Sequence, residues 1–211
     1  MSKAIEDGMS EEDLNARHAE KMRKKKAARD KILATKTIEK GLLIVHTGKG
    51  KGKSTAAFGM VFRMLGHGEK VAIVQFVKGK WQTGERVALE KFGDLVSINT
   101  MGEGFTWETQ DRARDIAMAK TAWEKAKELI RDERNSMVLL DEINIALRYD
   151  YIDVQEVIDF LMTEKPHMTH VVLTGRNAKE ELIEIADLAT EMELLKHPFR
   201  SGIKAQIGVE F

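Results

Sequence analysis

Apolar residues gather along this chain in short runs with little polar alternation: Leu42 to Val45, the middle of Lys70 to Phe76, Met137 to Leu140 and the end of Thr169 to Leu173. Runs of this length and character predict strands buried on both faces, as in a parallel sheet. Between them the spacing changes to three and four. Ala57, Val61, Met64 and Leu65 predict one helix, ended by Gly66-His67-Gly68, and Ile116, Ala119, Trp123, Ala126 and Ile130 predict a long one over 109–134 with Trp123 in the core. Val154, Val157, Ile158 and Leu161 mark a further helix, and Leu182, Ile183, Ile185 and Ala186 another. Shorter patterns predict a helix over 85–92, a strand over 95–100 and a final strand over 189–195. Strands alternating with helices make βαβ units, whose right-handed crossovers gather the strand ends along one edge of the sheet, where ligands bind.

The first forty residues read differently. Ser10 and Asp13 form a helix-starting pair with Glu11 and Glu12 in the first turn, but Lys24-Lys25-Lys26 interrupts the apolar face of Leu14, His18 and Met22. The segment 1–40 is therefore expected to be a charged helical arm, and 41–211 the folded domain. A solvated arm and a basic arm that orders over an anionic ligand or a second subunit both fit the pattern.

The first apolar run leads directly into Gly48-Lys49-Gly50-Lys51-Gly52-Lys53-Ser54-Thr55 and then a helix. Strand, glycine-lysine loop and helix together make a phosphate cradle. Glycines let backbone N–H groups turn inward, and the helix start adds unpaired N–H groups with a partial positive charge. Lys53 would reach the outer phosphates and Ser54 would offer a hydroxyl to magnesium, as in the pattern G-x-x-x-x-G-K-[ST]. One departure stands out: the first glycine of that pattern falls on Thr47, so the loop is a residue tighter. The run Met137 to Leu140 ends in Asp141-Glu142, the acidic strand end that accompanies such a loop. Lys78 and Lys80, after the second strand, are either added charge near the phosphates or solvated lysines. Arg176 stands at another strand end, within reach of phosphate or of a neighbouring carboxylate. Phe105 and Trp107 lie in a glycine-bearing loop, where core packing alone explains them poorly; they either face a ligand or form a hydrophobic plug under the following helix.

Composition narrows the field. Lysine plus arginine and aspartate plus glutamate each number 34, so no global field advertises nucleic acid. There is no cysteine, which excludes disulfides and thiolate sites, and the six histidines lack ligand spacing. No run approaches the roughly 20 apolar residues that span a bilayer, and no signal-like segment starts the chain, so a cytoplasmic protein is the simplest expectation. Nucleotide binding leaves the reaction open among hydrolysis coupled to motion, as in a P-loop ATPase, phosphoryl transfer to a small acceptor, as in a small-molecule kinase, and alkyl transfer from the ribose carbon of ATP.

The Gly48–Thr55 loop, Arg63 with Gly66-His67-Gly68, Val74-Gln75-Phe76-Val77-Lys78-Gly79, Gly102-Glu103-Gly104-Phe105-Thr106-Trp107, Leu140-Asp141-Glu142 and Thr174-Gly175-Arg176 occur here in order. Together they closely resemble the ATP:corrinoid adenosyltransferases, from about Gly41 to the end of the chain. The resemblance implies a RecA-like P-loop α/β fold with a mostly parallel sheet, and transfer of the 5′-deoxyadenosyl group from ATP to the cobalt(I) of a reduced corrinoid, cobalamin or cobinamide, with release of triphosphate. It implies that Gly48, Lys49, Gly50, Lys51, Gly52, Lys53, Ser54 and Thr55 hold the triphosphate, with Arg63, Lys78 and Arg176 as further nucleotide contacts. Magnesium, or manganese, would lie near Ser54, Asp141 and Glu142. Phe105 and Trp107 would pack against the corrin and exclude its axial ligand, and Lys53 and Glu142 would complete the catalytic set. A homodimer and a reduced flavoprotein donor are implied as partners, with no nucleic acid or membrane.

Overall fold

The computed structural model describes residues 10–77, 83–101 and 111–209. The chain divides between Glu39 and Lys40 into two compact units. The first holds α1 (Glu11–Leu33), whose residues are all at least partly exposed. Its start is the expected one: Ser10 Oγ accepts from Asp13 N at 3.1 Å and donates to the Asp13 carboxylate at 2.7 Å.

The second unit is a six-stranded, wholly parallel sheet in the order β3-β2-β4-β5-β1-β6. The strands are β1 (Leu43–Thr47), β2 (Val71–Gln75), β3 (Val96–Thr100), β4 (Met137–Asp141), β5 (His170–Thr174) and β6 (Leu188–Glu191). The helices are α2 (Lys53–Gly66), α3 (Gly84–Leu89), α4 (Arg112–Arg131), α5 (Ile143–Arg148), α6 (Val154–Thr163) and α7 (Glu180–Glu184). Helices cover both faces of the sheet, which is why the strand sequences show no alternation. On one face Leu43, Val45, Val74, Leu140 and Leu173 pack with Trp123 and Ile130 of α4, Leu147 of α5 and Phe160 of α6. On the other, Ile44, Ile73, Leu139 and Val172 pack with Ala57, Phe58, Val61 and Leu65 of α2. The expected P-loop α/β class with a parallel central sheet is the fold observed.

Some boundaries moved. The long helix spans Arg112–Arg131, not 109–134, because Asp111 caps it by accepting from Arg114 N and the chain leaves helical geometry at Asp132. Its expected start at residues 109 and 110 lies outside the described residues. The final strand stops at Glu191, because the chain then crosses the glycine-lysine loop instead of continuing along β1. Helix α5, directly after Asp141-Glu142, is an addition to the sequence-based expectation.

Parallel register puts one row of residues across the carboxyl edge of the sheet. Thr100 pairs with Gln75, Gln75 with Asp141, Thr174 with His46, and His46 with Thr190. Residues so paired share a face, and strand periodicity assigns this row to the α2 side, one layer beyond Ile98, Ile73, Leu139, Val172 and Ile44. The layer beneath is apolar and this last row is polar. The change occurs where α2 begins.

Candidate active site

The loop 48–52 joins β1 to the first turn of α2. Gly48 and Gly52 take φ of 99° and 104°, a region that favours glycine. The need for glycine at 48 and 50 is also steric. A Cβ at Gly48 would lie 2.4 Å from Met192 O, and one at Gly50 2.4 Å from Glu193 O. The stretch after β6 is bound to the loop from both sides: Met192 N donates to Thr47 O at 2.9 Å, and Gly50 N donates to Met192 O at 2.6 Å.

Lys53 is 6% exposed, and its Nζ donates to Gly48 O at 2.9 Å and Gly50 O at 2.5 Å. Burial pulls its pKa below the ordinary 10.5; the nearby Glu142 carboxylate opposes that shift and the Arg176 guanidinium adds to it. The Lys53 ammonium thus lies within the field of both Glu142 and Arg176. The first N–H groups of α2 have no intrahelical acceptor, so the loop offers an ammonium and backbone donors to an anion.

Asp141 is fully buried and receives side-chain donors from Ser54, Thr174 and Gln75. Ser54 Oγ donates to Oδ1 at 2.8 Å, Thr174 Oγ1 to Oδ1 at 2.9 Å, and Gln75 Nε2 to Oδ2 at 3.2 Å. Glu142 follows with φ of 65° and its backbone N donates to Thr174 Oγ1 at 2.9 Å. Gly175 is confined as well: a Cβ there would stand 2.8 Å from Asn144 Cβ and 3.2 Å from Glu142 Oε2. Asn144, fully buried, donates to Gly175 O at 3.2 Å and more weakly to His46 O at 3.5 Å, tying the acidic turn to the ends of β5 and β1.

Among the described residues no group of three or more His, Cys, Asp or Glu is arranged to hold a metal. The oxygen donors of Ser54 and Asp141 nevertheless fit magnesium, which takes one or two protein ligands and draws the rest from phosphate and water. Because Ser54 gives its proton to Asp141, the lone pairs of its oxygen are left for a cation.

The structure therefore brings together the loop, Lys53, Ser54, Asp141, Glu142 and Arg176. Lys49, Lys51, Thr55 and Arg176 are exposed. Arg63 is in the last turn of α2, ten residues beyond Lys53, which corresponds to roughly 15 Å along the helix; the fold does not gather it with the loop. Lys78, Phe105 and Trp107 lie outside the described residues. Sequence reasoning gave no role to Gln75, Thr100, Thr174, His46, Asn144 or Met192. A polar residue ending each apolar run was a usable signal for Gln75, His46 and Thr174, whereas nothing local distinguishes Asn144 or Met192.

A family model described as ATP:corrinoid adenosyltransferase BtuR/CobO/CobP matches residues 39–211, and one described as Cob(I)alamin adenosyltransferase N terminal matches residues 9–33. A corrinoid adenosyltransferase of Sinorhizobium sp is 78% identical over 93% of this chain and 92% of its own length. Proteins of the same name from Pseudomonas aeruginosa and Escherichia coli K12 are 53% and 43% identical, over 92% of this chain and 96% and 98% of theirs. Among solved structures, a RadB recombinase superposes with a TM-score of 0.46 at 18% identity, over 76% of this chain and 78% of that one. Matched over most of its length, the chain belongs to the ATP:corrinoid adenosyltransferase family.

Proposed function

We infer that this protein transfers the 5′-deoxyadenosyl group of ATP to the cobalt(I) of a reduced corrinoid. The observation that carries the reading is family membership across residues 39–211, the span that contains the loop and the Asp141 cluster. In the reaction cobalt(I) attacks C5′ of the ribose, a cobalt–carbon bond forms, and the C5′–oxygen bond breaks to release triphosphate. The substrate is itself the nucleophile, so no protein base is needed. The protein's contribution is orientation and charge stabilisation of the leaving group.

In this reading Gly48 to Thr55 cradle the triphosphate, and the Lys53 ammonium exchanges its bonds to Gly48 O and Gly50 O for phosphate oxygens. Ser54 and Asp141 would hold magnesium, with Glu142 beside them, and a bound ion would supply positive charge against the leaving triphosphate. Arg176, whose charge already reaches Lys53, adds to the same field. Phe105 and Trp107 are assigned to the corrin face on the likeness of their motif. A homodimer, a reduced flavoprotein as electron donor and a cytoplasmic location belong to the same proposal. Among the described residues no helix is long and apolar enough to cross a membrane.

Family membership disfavours an ordinary ATPase or kinase. Anaerobic incubation of the purified protein with ATP, magnesium and chemically generated cob(I)alamin tests the proposal. The expected products are a light-sensitive alkylcobalamin and an equal amount of triphosphate. Unchanged corrinoid with ADP release would sink it.

A further inference from the structure

The Asp141 carboxylate is held by more than its neighbours on the loop. Gln75, at the end of β2, stands between Thr100 at the end of β3 and Asp141 at the end of β4, in register with both. Its side chain spans them: Nε2 donates to Asp141 Oδ2 at 3.2 Å, and Oε1 accepts from Thr100 Oγ1 at 3.1 Å. Thr100 Oγ1 in turn accepts from Arg86 of α3 at 3.1 Å. Each bond has one sensible direction. A guanidinium can only donate, so the threonine hydroxyl passes its own proton to the amide oxygen, and the amide nitrogen is left facing the carboxylate. Reversing the amide would set an oxygen against an oxygen. The chain runs from a cation to an anion, an arrangement in which successive hydrogen bonds polarise one another.

The backbone repeats the connection. Phe76 N donates to Asp141 O at 3.0 Å, and Met101 N donates to Gln75 O at 3.1 Å. The peptide group joining Gln75 to Phe76 is thus bonded on both sides, to Asp141 at the end of β4 and to Met101 just past β3, while the Gln75 side chain bridges Asp141 and Thr100.

We propose that Gln75 is a positioning residue for the metal-binding face of the nucleotide site. By occupying Asp141 Oδ2, it sets the carboxylate plane so that Oδ1 faces Ser54, and Thr100 with Arg86 fixes the amide that does this. The proposal rests on the reading of Ser54 and Asp141 as magnesium ligands, but not on the identity of the group transferred. Removing the amide takes away the bond at Oδ2 and loosens the plane of a carboxylate still held at Oδ1 by Ser54 and Thr174, which weakens the magnesium-dependent part of ATP binding and leaves binding by the loop itself.

The test compares wild type, Gln75→Met, which keeps length and volume, and Thr100→Val, which cuts only the support of the amide. ATP binding is measured by calorimetry with excess magnesium and again with the metal chelated, without corrinoid. Thermal unfolding of the nucleotide-free proteins confirms that each variant is folded. Loss of a hydrogen bond to a charged group predicts that Gln75→Met weakens magnesium-dependent binding by roughly tenfold or more while changing metal-free binding little. Thr100→Val should give a smaller loss in the same measurement. Equal weakening with and without magnesium, or no weakening in either condition, would overturn the proposal. Because this readout contains no corrinoid, failure of the adenosyl-transfer reading would appear separately, in the products formed by the wild type.

Discussion

Ser54, in the first turn of α2, donates its hydroxyl proton to Asp141 at the end of β4 across 2.8 Å. The two residues come from segments 87 positions apart and meet because the row of strand ends faces the start of α2. Removing either affects the same locus in different ways. Ser54→Ala should lower magnesium-supported turnover at least tenfold with little loss of stability. Asp141→Ala should also destabilise the fold, by about 1–3 kcal/mol, because Thr174 and Gln75 lose their buried acceptor. Denaturation curves alongside initial rates separate the two effects.

The glycines of the loop predict a contrast within one region. Gly48→Ala and Gly50→Ala place a methyl group against the carbonyls of Met192 and Glu193, and the first also forces alanine to a φ of 99°. Each should cost roughly 1–3 kcal/mol and abolish tight ATP binding, because the loop must move away from the segment after β6 that crosses it. Gly59 in α2 has open space around it, so Gly59→Ala should stabilise by about 0.5–1 kcal/mol. Urea titrations of the three variants check both signs.

At the opposite edge of the sheet, His170 Nδ1 accepts from Leu42 N at 3.0 Å and so must be unprotonated there. Burial lowers its pKa from the ordinary 6.5, and the Lys165 ammonium lowers it further. Lys165 is held in place by the carbonyls of Gly41, Pro166 and Thr169, at 2.9 to 3.0 Å. The unfolded chain therefore takes up a proton that the folded one refuses. Stability due to this histidine is present above pH 6.5 and is lost as pH falls through that value toward the lower folded pKa. Melting temperatures measured from neutral to mildly acid pH should fall in that window, and His170→Asn should flatten the fall. An unchanged slope in the variant would assign the acid sensitivity to other groups.

Trp123 offers a prediction about stability alone. It is 1% exposed, meets Phe160 edge-on with ring centroids 5.3 Å apart, and donates from Nε1 to Glu156 at 2.8 Å. Trp123→Ala should cost about 3–5 kcal/mol. Turnover per folded molecule, corrected by active-site titration with ATP, should be unchanged, since α4 lies on the face away from α2.

Much of this molecule was legible before its tertiary structure. The buried strands, the glycine-lysine loop and the acidic strand end are local patterns, because a strand covered on both faces needs an unbroken apolar run and a phosphate loop needs glycine and lysine at adjacent positions. The Ser10 cap and the core placement of Trp123 follow from equally short-range rules. The roles read for Gly48, Lys53, Ser54 and Asp141 depended on those patterns, and strand–loop–helix continuity alone joins Gly48, Lys53 and Ser54, whereas Asp141 reaches them through the order of the strands.

What only the tertiary structure decided are relations set by strand order and register. That β5 lies between β4 and β1 explains why Thr174 shares Asp141 with Ser54. That the chain after β6 crosses the loop explains why a side chain fits at neither Gly48 nor Gly50. Gln75 reads as the polar end of an apolar run, and only its pairing with Thr100 on one side and Asp141 on the other makes it a bridge. Such contacts join segments that no short-range pattern connects, so the sequence by itself determined which pieces form, while the packed sheet determined which of their polar ends meet.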